Sequence, residues 1–137
     1  MKKILSNLFF LLLITASYSQ IHDPVNWSTS VEKVSDTEFD LVITAEIEGN
    51  WHLYSQNIDE GGPIPTTFTF EKTDDYTLVG TPTEGEGHSA PEPVFDNMIV
   101  KYFESNAVFK QRIKVETKNT INIAGEVEFM VCDDGLC

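Results

Sequence analysis

The sequence predicts an all-β domain built as a sandwich of antiparallel sheets. Three observations carry this. Apolar and polar residues alternate through 39–47 and 121–129, which is the period of a half-buried strand. Further short runs, most of them rich in β-branched and aromatic residues, stand at 27–34, 51–56, 66–72, 76–80, 98–103 and 107–116. Between the runs sit turn formers, among them Ser35-Asp36, Glu48-Gly49-Asn50, Gly61-Gly62-Pro63, Thr73-Asp74-Asp75, Ser105-Asn106 and Lys118-Asn119. After residue 20 no segment sustains a helical period.

Taken in chain order, the first element is not part of the fold. Lys2 and Lys3 precede an unbroken apolar run at 8–14 and a small-residue exit, Ala16-Ser17-Tyr18-Ser19, the layout of a secretory signal peptide. The run is shorter than the about 20 apolar residues that a membrane span needs. Residues 1–19 are therefore expected to be removed after Ser19, leaving Gln20 first. The remaining 118 residues suit one domain with one core.

Alternating strands then occupy 27–34, 39–47 and 51–56, followed by 66–72 and 76–80. Residues 81–97 interrupt the pattern with Gly85-Glu86-Gly87-His88 and prolines at 91 and 93, so a long irregular surface loop is expected there. The strands at 98–103 and 107–116 resume the alternation, and a final strand over 125–131 delivers straight into Cys132-Asp133-Asp134-Gly135-Leu136-Cys137. Short strands punctuated in this way argue for an immunoglobulin-like sandwich. An antibody-type core disulfide is excluded, because it joins distant strands of opposite sheets and these two cysteines are close in sequence.

The formal charge of −13 becomes −15 once Lys2 and Lys3 are removed. Such a surface repels phosphate backbones and anionic headgroups, which argues against nucleic-acid partners and against membrane docking by the mature domain.

Cys132 and Cys137 are the only cysteines in a chain addressed to an oxidising compartment. Asp-Asp-Gly between them is turn chemistry that can bring the sulfurs together. Closing so small a loop stabilises a fold by only roughly 2 kcal/mol, against nearly 5 for a bridge spanning about 100 residues. A redox pair and a structural staple both remain open on the residues alone. Zinc would need Cys132 and Cys137 with two of His22, His52 and His88, which lack ligand spacing. No Gly-x-Ser-x-Gly elbow marks a hydrolase. No metal or other cofactor is expected.

Three segments resemble one family. Gly49-Asn50-Trp51-His52-Leu53-Tyr54 is similar to its Gly-aromatic-aromatic-Leu-Tyr strand, Lys101-Tyr102-Phe103 through Phe109-Lys110-Gln111-Arg112-Ile113 to its aromatic cap segment and following strand, and the cysteine pair to its redox centre. The family is the N-terminal periplasmic domain of the DsbD thiol:disulfide interchange proteins, which includes cytochrome c biogenesis reductases. The resemblance implies an immunoglobulin-like fold with Cys132 and Cys137 as the redox pair. It further implies Tyr102 and Phe103 as an aromatic cap, with Tyr54 and His52 lining the site. Electrons would arrive from a thioredoxin-like domain of a transmembrane reductase and leave to exported disulfide-containing or thioredoxin-fold proteins. A protein-disulfide reductase component in the periplasm is the expected activity, and a noncatalytic immunoglobulin-like binding module with a structural disulfide is the alternative. Four residues separate the cysteines here, one fewer than in the best-known members. Those members also continue past the second cysteine into at least one more strand, so a C-terminally truncated domain over 20–137 is expected.

Overall fold

The computed structural model describes residues 22–137, and the expected signal peptide lies outside them. Ten strands run in chain order: β1 Val25–Lys33, β2 Glu38–Ile47, β3 His52–Tyr54, β4 Thr67–Phe70, β5 Tyr76–Glu84, β6 His88–Glu92, β7 Met98–Phe103, β8 Asn106–Val115, β9 Gly125–Glu128 and β10 Val131–Cys132. They form one sheet in the order β1-β2-β8-β5, a second in the order β10-β3-β7-β6, and a two-stranded ribbon of β4 and β9. Every ladder is antiparallel. The fold is thus the all-β, immunoglobulin-like sandwich that the alternation predicts.

The alternation works as expected in β8, where Ala107, Phe109, Gln111 and Ile113 are buried and their neighbours are not. The main core gathers Val25, Ile43, Ala45, Ile47, Ala107 and Phe109 from the first sheet against Leu53 and Phe103 from the second, with Trp27, Phe68, Phe70 and Val131 packed around them. Gln111 is the polar exception. Its Nε2 donates to the carbonyls of Arg112 and Gly80 at 2.7 and 3.3 Å, near the bulge that shifts the β5–β8 register between Val79 and Thr83.

Two expectations need correction. Residues 81–97 are not an irregular loop: β5 continues to Glu84, β6 occupies His88–Glu92, and a single 3-10 turn, Pro93–Phe95, leads on toward β7. The prolines are accommodated because Pro82 lies at the β5 bulge and Pro91 on β6, an edge strand with only one ladder to maintain. Gly87 makes the approach of β6 possible, since a Cβ there would lie 2.5 Å from the Tyr102 carbonyl oxygen and 3.0 Å from the Phe103 ring. The last predicted strand, 125–131, is also broken. Its ladder begins at Gly125, opposite Phe70 where β4 ends, but β9 stops at Glu128 and β10 resumes only at Val131, and the alternation over 121–124 leaves half-buried Ile121 and Ile123 without strand pairing.

The second sheet and the ribbon are two stretches of one strand pair. Thr66 closes the excursion between β3 and β4, donating its amide to the Ser55 carbonyl at 3.1 Å and its hydroxyl to the Tyr54 carbonyl at 2.6 Å. On the opposite side Phe129 and Met130 separate β9 from β10. This break brings Cys132 alongside β3.

Candidate functional site: a disulfide on the outer face of the second sheet

Cys132 ends β10 and is bonded to Cys137, with their Cα atoms 4.1 Å apart. The connecting turn is organised by its own first residue. Asp133 accepts the amides of Gly135 and Leu136 on one carboxylate oxygen, at 2.9 and 2.6 Å, and donates its own amide to the Leu136 carbonyl at 2.8 Å. An aspartate side chain that substitutes for backbone acceptors in this way stabilises a tight turn without help from the rest of the fold. The two cysteines differ in environment, for Cys132 is 4% exposed whereas Cys137 is exposed.

Strand pairing decides what surrounds Cys132. Its register partner is His52, and Val131 pairs with Leu53. In the next ladder Leu53 pairs with Phe103 and Tyr54 with Tyr102. Paired residues share a face and successive residues alternate. Val131, Leu53 and Phe103 therefore point into the main core, while Cys132, His52, Tyr54 and Tyr102 occupy the outer face. The packing agrees: Tyr54, Val100 and Cys132 form a second buried cluster against which Ile58, Met98, Tyr102 and Met130 pack.

Tyr54 is fully buried and donates its hydroxyl to Glu92 at 3.1 Å. Burial first, and the Glu92 carboxylate second, push its phenol far above the usual range, so it stays neutral. Phe95, from the 3-10 turn, meets the Tyr54 ring edge-on at 6.4 Å. Tyr102 is half-buried and stacks on His52 with ring centroids 4.4 Å apart. His52 Nε2 lies 2.9 Å from a Glu104 oxygen, and His88 Nε2 lies 3.7 Å from the other.

The residues proposed from sequence thus divide. Cys132, Cys137, His52, Tyr54 and Tyr102 come together, whereas Phe103 is 2% exposed and sits among Leu53 and Phe109 on the other side of the sheet. Glu92, Phe95 and Glu104 join the site although nothing in their local sequence marks them, because a cross-strand neighbour is known only once the register is. Beneath the site a further carboxylate ties two strands together. Glu84 accepts from the Ser55 hydroxyl at 2.6 Å and the Gln56 amide at 2.9 Å, and pairs with Lys101 at 3.0 Å. Burial raises the Glu84 carboxyl, but the donors from Ser55, Gln56, Lys101 and Asn57 outweigh it and hold the group below its usual value.

Two open clefts, of about 780 and 330 Å³, lie beside β1 and β2 near residues 117–124, and neither is lined by any of the cysteine-site residues. Among the described residues no group of three or more His, Cys, Asp or Glu side chains is disposed to hold a metal ion. Among those residues, too, no helix is long and apolar enough to cross a membrane.

The disulfide thus closes a six-residue turn at the end of an edge strand, beside aromatic residues of the second sheet. Comparison with protein families matches residues 24–137 to the N-terminal domain of the thiol:disulfide interchange protein DsbD. The chain belongs to this family. No curated protein and no solved structure matches it. As a DsbD N-terminal domain, it carries its cysteine pair on the outer face of the second sheet, at the end of β10.

Proposed function

We propose that this DsbD N-terminal domain shuttles electrons outside the cytoplasm. It takes two from a thioredoxin-like domain of a transmembrane reductase and passes them to disulfides of exported proteins. The observation that carries the reading is the asymmetry of the bridge: Cys137 is an exposed residue, whereas Cys132 is buried in one cluster with Tyr54, against which Tyr102 packs. Exchange requires a thiolate to reach one sulfur and expel the other. Cys137 is the sulfur a partner can reach, and Cys132 is the leaving group in reduction of the bridge and the resolving thiol in the reverse direction. The signal-peptide pattern in residues 1–19 supports export to the periplasm.

Tyr102 acts as the cap, because it packs against the cluster that contains Cys132 and is held there by its stack on His52. Phe103 has a core role instead. Asp133 and Asp134 flank the sulfurs with negative charge, which disfavours free thiolate and keeps the reduced pair slow toward chance disulfides. Specificity then comes from docking.

The test is to expose the oxidised domain to a thioredoxin-type reductant and titrate thiols over time. Rapid reduction of the bridge is expected. A bridge that stays oxidised while the domain is folded would support the binding-module reading, in which the disulfide is structural.

A further inference from the structure

The row that contains Cys132 continues across the sheet. Cys132 of β10 faces His52 of β3, and one step beyond the Leu53–Phe103 pair the register sets Glu104 opposite His52. The 2.9 Å contact between His52 Nε2 and Glu104 Oε1 agrees with that register. Opposed residues in an antiparallel pair have Cβ atoms about 4.5–5.5 Å apart. Cys132, His52 and Glu104 thus follow one another on one face, from β10 across β3 to the residue after β7. Glu104 takes Nε2, and Nδ1 is the nitrogen that remains.

We propose that His52, oriented by Glu104, is the acid–base group of this disulfide, protonating the Cys132 thiolate as it leaves and recovering the proton when the dithiol is used. The inference rests on the exchange reading above and adds to it the residues that handle the proton. A thiolate released at Cys132 is buried, and the carboxylates nearby are Asp133 and Asp134 in its own turn, with Glu104 against His52 and Glu92 on the Tyr54 hydroxyl. Tyr54, whose phenol burial and Glu92 push up, stays neutral. Lys101 belongs to the opposite face, where it pairs with Glu84. Among the described residues, the groups able to bring positive charge to this face are His52 and His88, and His88 is the more distant from Cys132, since its register partner is Tyr102 on the far side of β3. Histidine is the side chain that changes charge near neutrality.

A partner thiolate attacks Cys137 Sγ, forming the mixed disulfide while the Cys137–Cys132 bond breaks and its electron pair leaves on Cys132 Sγ. The His52 imidazolium gives its Nδ1 proton to that sulfur and becomes neutral imidazole, still bonded to Glu104 through Nε2. The partner's second thiolate then attacks the partner sulfur of the mixed disulfide, and Cys137 departs as a thiolate that solvent protonates. The partner dithiol is oxidised to a disulfide and the Cys132–Cys137 pair is reduced to a dithiol, with two electrons transferred.

The experiment compares wild type with His52→Phe, which keeps an aromatic ring on Tyr102, His52→Gln and Glu104→Gln. Reduction of the bridge by dithiothreitol is followed from about pH 5 to about pH 8, across the range in which histidine titrates, with rates normalised to the dithiothreitol thiolate present. The wild-type rate is expected to be highest at the acid end and to fall as the imidazolium is lost. His52→Phe and His52→Gln should be flat and slower at the acid end by roughly 10-fold, the modest share expected where water also reaches the site, against about 10²–10⁴ for enclosed general acids. Glu104→Gln should fall between them and wild type. Superimposable profiles for wild type and either His52 variant, or a uniform loss at every pH, overturn the proposal. Dithiothreitol needs no docking, so failure of a thioredoxin-type reductant on wild type would overturn the exchange reading while leaving this profile as a separate result.

Discussion

Cys132 and His52 stand directly opposite one another across the β10–β3 ladder, on the face of the second sheet turned away from the main core. The buried sulfur is thereby set apart from Leu53 and Phe103, which use the other face of the same strands. The consequences can be measured.

Single cysteine variants should behave differently. Cys132→Ser leaves the exposed Cys137 thiol and is expected to accumulate a reducible adduct with a thioredoxin-like partner that lacks its own resolving cysteine. Cys137→Ser leaves only the buried thiol and should give little adduct on the same nonreducing gel. Each should lose about 2 kcal/mol of stability with the bridge. Equal adducts from both would mean that burial does not separate the roles.

Tyr102→Ala and Phe103→Ala separate cap from core. Loss of the Tyr102 ring should speed reduction of the bridge by a small thiol with a modest loss of stability, because Tyr102 is half-buried. Phe103 packs edge-on against Phe109 at 5.6 Å within the main core, so its truncation should cost about 3–5 kcal/mol in a denaturant melt. If Tyr102→Ala leaves the reduction rate unchanged, Tyr102 is not the cap.

Gly87→Ala should push β6 off β7, because the new methyl group would meet the Tyr102 carbonyl oxygen at 2.5 Å. Overpacking of this kind costs about 1–3 kcal/mol. His88 pairs with Tyr102 in that ladder, so the thermal midpoint should fall and the bridge should become easier to reduce. An unchanged midpoint would show that the strand shifts freely.

Glu84 predicts a pH dependence. Its carboxyl is held below the unfolded value, because the bonds from Ser55, Gln56, Lys101 and Asn57 outweigh the cost of burial. Its contribution to stability is therefore complete above the unfolded value and is lost as pH falls through the lower folded one. Urea melts at decreasing pH should show this loss in wild type, and Glu84→Gln should lack it while being less stable near neutrality by about 1–3 kcal/mol. Parallel curves for the two proteins would remove Glu84 from the account.

Local chemistry was legible in the sequence. The alternation in 39–47 and 107–116 needs only the two-residue period of a strand to declare a buried side, and both segments are long central strands. The cysteine turn is equally local, since Asp133 bonds residues two and three positions ahead of it. The break in 81–97 could not be read in the same way. Proline and glycine speak against a strand until the neighbouring element shows that Pro91 lies on an edge and that Gly87 is needed for close approach.

The sequence by itself therefore determined most of the strands, their buried sides and the turn between its two cysteines, because each depends on residues within a few positions of one another. Only the tertiary structure decided the site. Tyr102 and Phe103 are adjacent, so one must face outward and the other inward, and nothing in the chain's local pattern says which. The Leu53–Phe103 and Cys132–His52 pairs settle it. The same register brings Glu104 to His52 and His52 to Cys132, because side chains distant in sequence become neighbours only when strand pairing fixes which residues lie opposite.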